Sequence, residues 1–159
     1  MYPAVGVAVL LLVCCLDTVR ADLETGLCDP KESCGDDWYY FDGKERCGLY
    51  VMNPLTFSEA EKYCKEQGGE LLSISSEKED FEASCLSFDV FDISHQIWIG
   101  AENSEGEFKW TDGTPFSYTY WYKGEPKGTG CAEINFYHLA SWSVVDCSKK
   151  NFALCTKKA

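Results

Sequence analysis

Side chains able to do chemistry are unevenly distributed along these 159 residues. Ten are cysteines: Cys14, Cys15, Cys28, Cys34, Cys47, Cys64, Cys85, Cys131, Cys147 and Cys155. Thiols at that density belong to an oxidising compartment, where they pair as disulfides instead of serving as nucleophiles. His95 and His138 are the two histidines, and no metal-ligand spacing relates them. The sequence contains neither Gly-x-Ser-x-Gly nor His-Glu-x-x-His, so neither a serine hydrolase elbow nor a zinc protease helix can be built from it. Glu77, Glu79 and Asp80 cluster on a predicted helix face, where charge ordinarily serves solvation. Phe116, Tyr118, Tyr120 and Tyr122 alternate with other residues. They offer either a platform for sugar rings or a protein partner, or packing beneath a loop. The expectation is a binding protein, not an enzyme.

Composition narrows what is bound. Acidic residues outnumber basic ones 26 to 14, a formal charge of −12, which argues against a grip on nucleic acid phosphates. A hydrophobic share of 45% over this length supports one domain with a core. The apolar run from Ala4 to Leu16 is followed by Val19 and Ala21 at signal-peptidase spacing. It is too short to span a bilayer, which takes about 20 residues. Residues 1–21 are therefore read as a signal peptide and 22–33 as a short leader; the domain occupies 34–159, is secreted, and inserts in no membrane. The mature chain keeps eight cysteines, and none of Asn53, Asn103, Asn135 or Asn151 starts a glycosylation acceptor.

The elements that position these residues follow from spacing. Trp38 to Phe41 and Leu49 to Met52 flank a turn and read as a hairpin. Thr56 with Glu59 forms a capping box, Phe57, Ala60 and Cys64 recur at helical spacing, and Gly68 and Gly69 end a helix of about eleven residues. Leu71 to Ile74 reads as a strand. Ser76 with Glu79 then caps a second helix with Phe81, Cys85 and Leu86 facing inward. Short β-rich runs follow at Ile97 to Ala101, Phe108 to Trp110, Phe116 to Tyr122, Ala132 to Tyr137, Ser141 to Val145 and Asn151 to Thr156. Helices first and strands after give an α+β class.

In this order the motifs resemble a long-form C-type lectin-like domain, matched from Cys34 to Cys155. The match rests on Trp38 between Cys34 and Cys47, the Thr56, Phe57, Ala60, Cys64 helix, and Gly69, Leu71 and Ile74. It continues through Trp98-Ile99-Gly100, Glu105, Gly106, Phe108, Trp110, Asp112 and Gly113, then Trp121, Gly124, Glu125 and Pro126, and closes on Cys131, Trp142, Cys147, Phe152 and Cys155. The resemblance implies two helices, two small antiparallel sheets and a long loop region. It implies the pairs Cys34 with Cys47, Cys64 with Cys155 and Cys131 with Cys147. The second of these closes a loop worth roughly 4 to 5 kcal/mol in the chain-entropy model. Cys28 and Cys85 remain, either bonded to each other or linking two chains. Trp98, Trp110, Trp121 and Trp142 are assigned to the core.

Sugar-binding members of that family hold calcium through a Glu-Pro-Asn or Gln-Pro-Asp triplet, an intervening acid and a Trp-Asn-Asp triplet. Here the corresponding residues are Glu125-Pro126-Lys127, Thr129 and Trp142-Ser143-Val144. Glu125 alone keeps a metal-ligand type. Calcium takes six to eight oxygens, several of them carboxylates, and unit like charges at ~4 Å repel by about 1 kcal/mol in water and ~4 at an effective dielectric of 20. The second calcium site retains Asn103 and Glu105 but has Gly128 and Gly130 where acids are expected. No cofactor is therefore expected, and calcium dependence is weak or absent. Glu125, Lys127, Thr129 and Ser143 are the candidate ligand contacts. The resemblance also puts a cis bond before Pro126, although cis is the minority state for X-Pro bonds generally. The expected ligand is carbohydrate on an extracellular or microbial surface. The alternative is a calcium-independent module for protein, matrix, mineral or ice, with the oligomeric state open.

Overall fold

The computed structural model describes residues 32–41, 43, 45–88, 95–103, 106–134 and 140–159. The expected signal peptide, the leader up to residue 31, Cys28, Glu105, His138 and the end of the predicted strand at 135–137 lie outside the described residues.

The first helix forms where the capping box places it. Thr56 Oγ1 accepts the Glu59 N–H at 3.3 Å and Glu59 Oε2 accepts the Thr56 N–H at 2.9 Å. These reciprocal bonds satisfy two of the helix's orphan donors and hold the Glu59 carboxyl below its usual range. Helix α1 (Phe57–Glu66) buries Phe57, Ala60 and Cys64 along one stripe. Gly69 follows because a Cβ there would lie 2.6 Å from the Thr156 carbonyl oxygen and 3.0 Å from the Trp38 ring.

Around α1 run β1 (Tyr39–Phe41), β2 (Arg46–Leu55), β3 (Glu70–Leu71), helix α2 (Glu77–Phe88), β4 (Ile97–Asn103), β5 (Lys109–Trp110), β6 (Gly130–Ile134), β7 (Trp142–Val145) and β8 (Asn151–Lys158). The described strands order as β1-β2-β8-β4-β6-β7, with β3 on β8 and β5 on β4. All pairings are antiparallel except β4 with β8, which is parallel through Ile97–Phe152 and Trp98–Ala153. That pairing fuses the two expected antiparallel sheets into one mixed sheet within the α+β class.

Three expectations shift. The strand read at Leu71 to Ile74 ends at Leu71, although Leu72 and Ile74 are fully buried. The alternating run from Phe116 to Tyr122 forms no ladder; only Trp121 bridges to Trp142. Phe81, placed inward by its spacing from Cys85, is among the exposed large apolar residues at 36%.

Cys64–Cys155 ties α1 to β8 across 91 positions, Cys131–Cys147 ties β6 to the segment after β7, and Cys34–Cys47 holds the first hairpin. Their Cα separations of 5.2, 5.1 and 6.0 Å suit disulfide geometry. Cys85 is also disulfide-bonded, and Cys28, the internal partner considered for it, lies outside the described residues. Trp98 and Trp142 centre the two halves of the core and are fully buried. The Trp98 indole N–H donates to the Leu55 carbonyl at 2.8 Å.

Candidate functional site

Strand β7 lies at the end of the described strand order and carries the long loop that precedes β6. The Trp142 N–H donates to the Tyr120 carbonyl at 2.9 Å, and the Trp142 carbonyl accepts the Tyr122 N–H at 2.8 Å. The Tyr122 carbonyl then accepts the Glu125 N–H at 2.8 Å, and Glu125–Pro126 is cis. The loop is thus stapled to β7, and Glu125 faces back toward that strand.

Its carboxylate is spent within the protein. Oε2 accepts the N–H groups of Lys127 and Val144, both at 3.2 Å, and Oε1 lies 3.8 Å from the Lys127 ammonium. The Glu125 side chain is 11% exposed and that of Lys127 75%. Glu125 and Lys127 are therefore brought together. Thr129 is exposed and lines a shallow cleft of about 420 Å3 with Asn103, Gly130 and Asp146. Asp146, which the sequence reading passed over, accepts the Ser148 N–H at 2.8 Å, and this bond lowers its pKa.

Ser143 points the other way. It is 2% exposed, and its hydroxyl donates to Glu133 Oε1 at 3.1 Å. Glu133 is fully buried and also accepts the Lys149 ammonium at 2.7 Å and the Asn151 amide at 2.6 Å. Asn103, retained from the second calcium set, accepts the Gly106 N–H at 2.7 Å through Oδ1.

These donors do not fit the family's calcium set. At the first triplet the carboxylate meets two N–H groups and an ammonium; at the second, Val144 contributes an N–H and Ser143 a buried donor. Calcium needs a shell of oxygens with carboxylate charge to spare. Among the described residues no three His, Cys, Asp or Glu side chains are grouped to hold a metal ion.

The alternating aromatics divide. Trp110, Phe116, Tyr118 and Trp121 surround the buried Trp142 ring edge-on, at centroid distances of 5.6, 6.4, 5.8 and 5.4 Å. Phe116 and Tyr118 thus pack beneath the loop, while Tyr120 is 51% exposed. The acidic cluster on α2 needs a larger correction: Glu77 is exposed, as a solvated face requires, but Glu79 and Asp80 are buried. Glu79 is 7% exposed and accepts from the Ser75 N–H, the Ser75 hydroxyl and Arg46 Nη1 at 2.9, 2.6 and 3.3 Å. Asp80 is 1% exposed and accepts the Trp142 indole N–H at 2.9 Å and the Tyr118 hydroxyl at 3.2 Å. Burial raises the Asp80 pKa to about 7, against the opposing pull of those two bonds. Burial, then the nearby Asp80, also raises the Tyr118 pKa, so Tyr118 stays a donor. No local spacing rule reveals Asp80, because its indole partner is 62 positions away.

Similarity to known proteins agrees with this architecture. The family profile described as the Lectin C-type domain matches residues 53–157. The C-type isolectin Sp-CL4 of Scorpaena plumieri is 38% identical over 128 residues, covering 78% of this chain and 88% of that protein. The galactose-specific lectin nattectin of Thalassophryne nattereri is 31% identical over 131 residues, covering 79% and 80%. Among solved structures, a calcium-independent type II antifreeze protein superposes with a TM-score of 0.68 at 26% identity, over 80% of this chain and 95% of that one.

Proposed function

The chain belongs to the C-type lectin domain family, and we propose that it is a secreted, non-enzymatic module that binds carbohydrate on an extracellular or microbial surface without calcium. The observation that carries this reading is the Glu125 carboxylate, whose charge is met by Lys127 and whose lone pairs take two main-chain N–H groups. The ammonium takes the role an ion would have, so recognition rests on direct contacts.

Lys127, with its exposed ammonium, supplies donors to sugar hydroxyls. Thr129 supplies a hydroxyl that both donates and accepts, and Asp146 in the same cleft an acceptor. Glu125 and Ser143 hold the loop and strand behind them. Support for carbohydrate comes from the relatives, which include a lectin named as galactose-specific. Seven disulfide-bonded cysteines among the described residues, three pairs and Cys85, fit an oxidising, extracellular setting.

A glycan array run with calcium and again with chelator tests the reading, on the mature chain and on Lys127→Met. The expected result is a signal that survives chelator and is lost in the variant. A chelator-sensitive signal would overturn calcium independence. Silence under both conditions would favour the second reading, a calcium-independent surface or protein binder, which the antifreeze neighbour motivates.

A further inference from the structure

Lined by other residues than the long-loop site, a cleft of about 490 Å3 opens between α2 and the aromatic stretch of the long loop. Glu77, Lys78, Asp80 and Phe81 form one wall, and Tyr118 and Tyr120 the other. Phe81 and Tyr120 are exposed at its rim, at 36% and 51%, while Asp80 is 1% exposed and sits at its floor. The volume falls within the range of small-ligand pockets.

Asp80 makes this cleft chemically specific. Its side-chain partners are neutral donors, the Trp142 indole N–H and the Tyr118 hydroxyl, and no cation is paired with it among the described residues. Buried carboxylates are ordinarily paired with a charge or protonated. A carboxylate accommodates about four donors, and Asp80, which lines the cleft, accepts two from side chains, so acceptor capacity remains. Lys78 lies in the wall, but its ammonium is 3.3 Å from Glu82. Glu77 adds a second negative charge, and exposed aromatic faces at the rim are the complement of an organic cation.

We propose that this cleft binds an alkylammonium or guanidinium group, with Asp80 as its counter-ion, Glu77 as a second carboxylate and Tyr120 and Phe81 as flanking rings. The bound cation supplies the charge that Asp80 lacks. The facing groups are Glu77 and Lys78 on α2 and Tyr118 and Tyr120 on the loop; the strands contribute the neutral Trp142. A cation and a proton therefore compete for Asp80. With its pKa near 7, about a tenth of Asp80 is ionised at pH 6 and about nine tenths at pH 8.

The test follows the Trp142 indole N–H resonance of the mature chain during titration with n-butylammonium, with n-butanol as the neutral isostere and with the blocked peptide acetyl-Gly-Lys-Gly-amide. The expected result is a saturable shift with butylammonium and with the peptide, about fivefold to tenfold weaker at pH 6 than at pH 8, and no saturation with butanol. Tighter binding of the peptide than of the amine identifies a polypeptide side chain as the source, and the reverse identifies a free amine. Asp80→Asn abolishes the shift and its pH dependence. Tyr120→Ala, which removes an exposed ring and keeps the main-chain bond to Trp142, weakens binding severalfold. Equal binding of butanol, pH-independent affinity, or undiminished binding by both variants would overturn the proposal.

Discussion

The tip of the long loop and the floor of the cleft beside α2 each hold a carboxylate largely withdrawn from water, and they treat it in opposite ways. Glu125 has an ammonium 3.8 Å away and two main-chain donors. Asp80 has two neutral donors, no paired cation among the described residues, and a pKa raised to about 7. Glu133 and Glu79 belong with Glu125, since Lys149 at 2.7 Å and Arg46 at 3.3 Å accompany them. Taking a carboxylate out of water costs several kcal/mol unless charge and hydrogen bonds offset it. Where the offset is complete the group is structural; where it is incomplete the group stays responsive to protons and cations. At the loop tip the carboxylate charge is met within the protein, whereas at Asp80 it is met by neutral donors alone.

That contrast breaks most visibly at Glu133. Lys149→Met strands a fully buried carboxylate, and the expected loss is about 3 kcal/mol in urea unfolding at pH 7. Adding Glu133→Gln to that variant should recover at least half of it, because the neutral amide strands no charge, its oxygen still accepts the Asn151 amide N–H, and its NH2 can donate to the Ser143 hydroxyl. A loss below 1 kcal/mol, or no recovery, would show that Glu133 does not depend on its cation.

At Asp80 the effect is a pH dependence. The folded pKa lies above the unfolded value near 4, so the folded state holds its proton longer. The stabilisation from this group is present in full below about pH 4 and is lost as pH rises through about 7. Relative to Asp80→Asn, the wild type should lose on the order of 2 to 3 kcal/mol of stability between pH 4.5 and pH 8. Parallel stability curves for the two proteins would contradict an uncompensated carboxylate.

The smallest stability effect belongs to Lys127→Met. Its ammonium is mostly exposed and 3.8 Å from Glu125, and the main-chain donors remain, so about 0.5 kcal/mol or less is expected in the same unfolding measurement. A cost above 2 kcal/mol would make Lys127 a structural residue in place of a ligand contact.

How far the sequence reveals these regions depends on how local their causes are. The Thr56 capping box and the Phe57, Ala60, Cys64 stripe lie within one helix, and their reading agrees with the structure. The three disulfides came through family resemblance, since spacing leaves the connectivity of eight cysteines open. The period-2 run at Phe116 to Tyr122 misled because its rings pack around Trp142, while the main chain of Tyr120 and Tyr122 bonds to that residue without forming a ladder. Ser143 is a candidate contact only through resemblance to the family's second triplet, and its inward turn follows from Glu133 on the neighbouring strand. Asp80 was read as solvated because its neighbours Glu77 and Glu79 suggest a charged face; its burial depends on residues 38 and 62 positions away.

Calorimetric titration of the mature chain with calcium tests most directly whether Lys127 has displaced the ion at Glu125. The expected result is no saturable heat up to millimolar calcium, unchanged in Glu125→Gln. A saturable micromolar-to-millimolar isotherm that Glu125→Gln abolishes would contradict it, by showing that the Glu125 carboxylate still takes a metal despite the ammonium beside it.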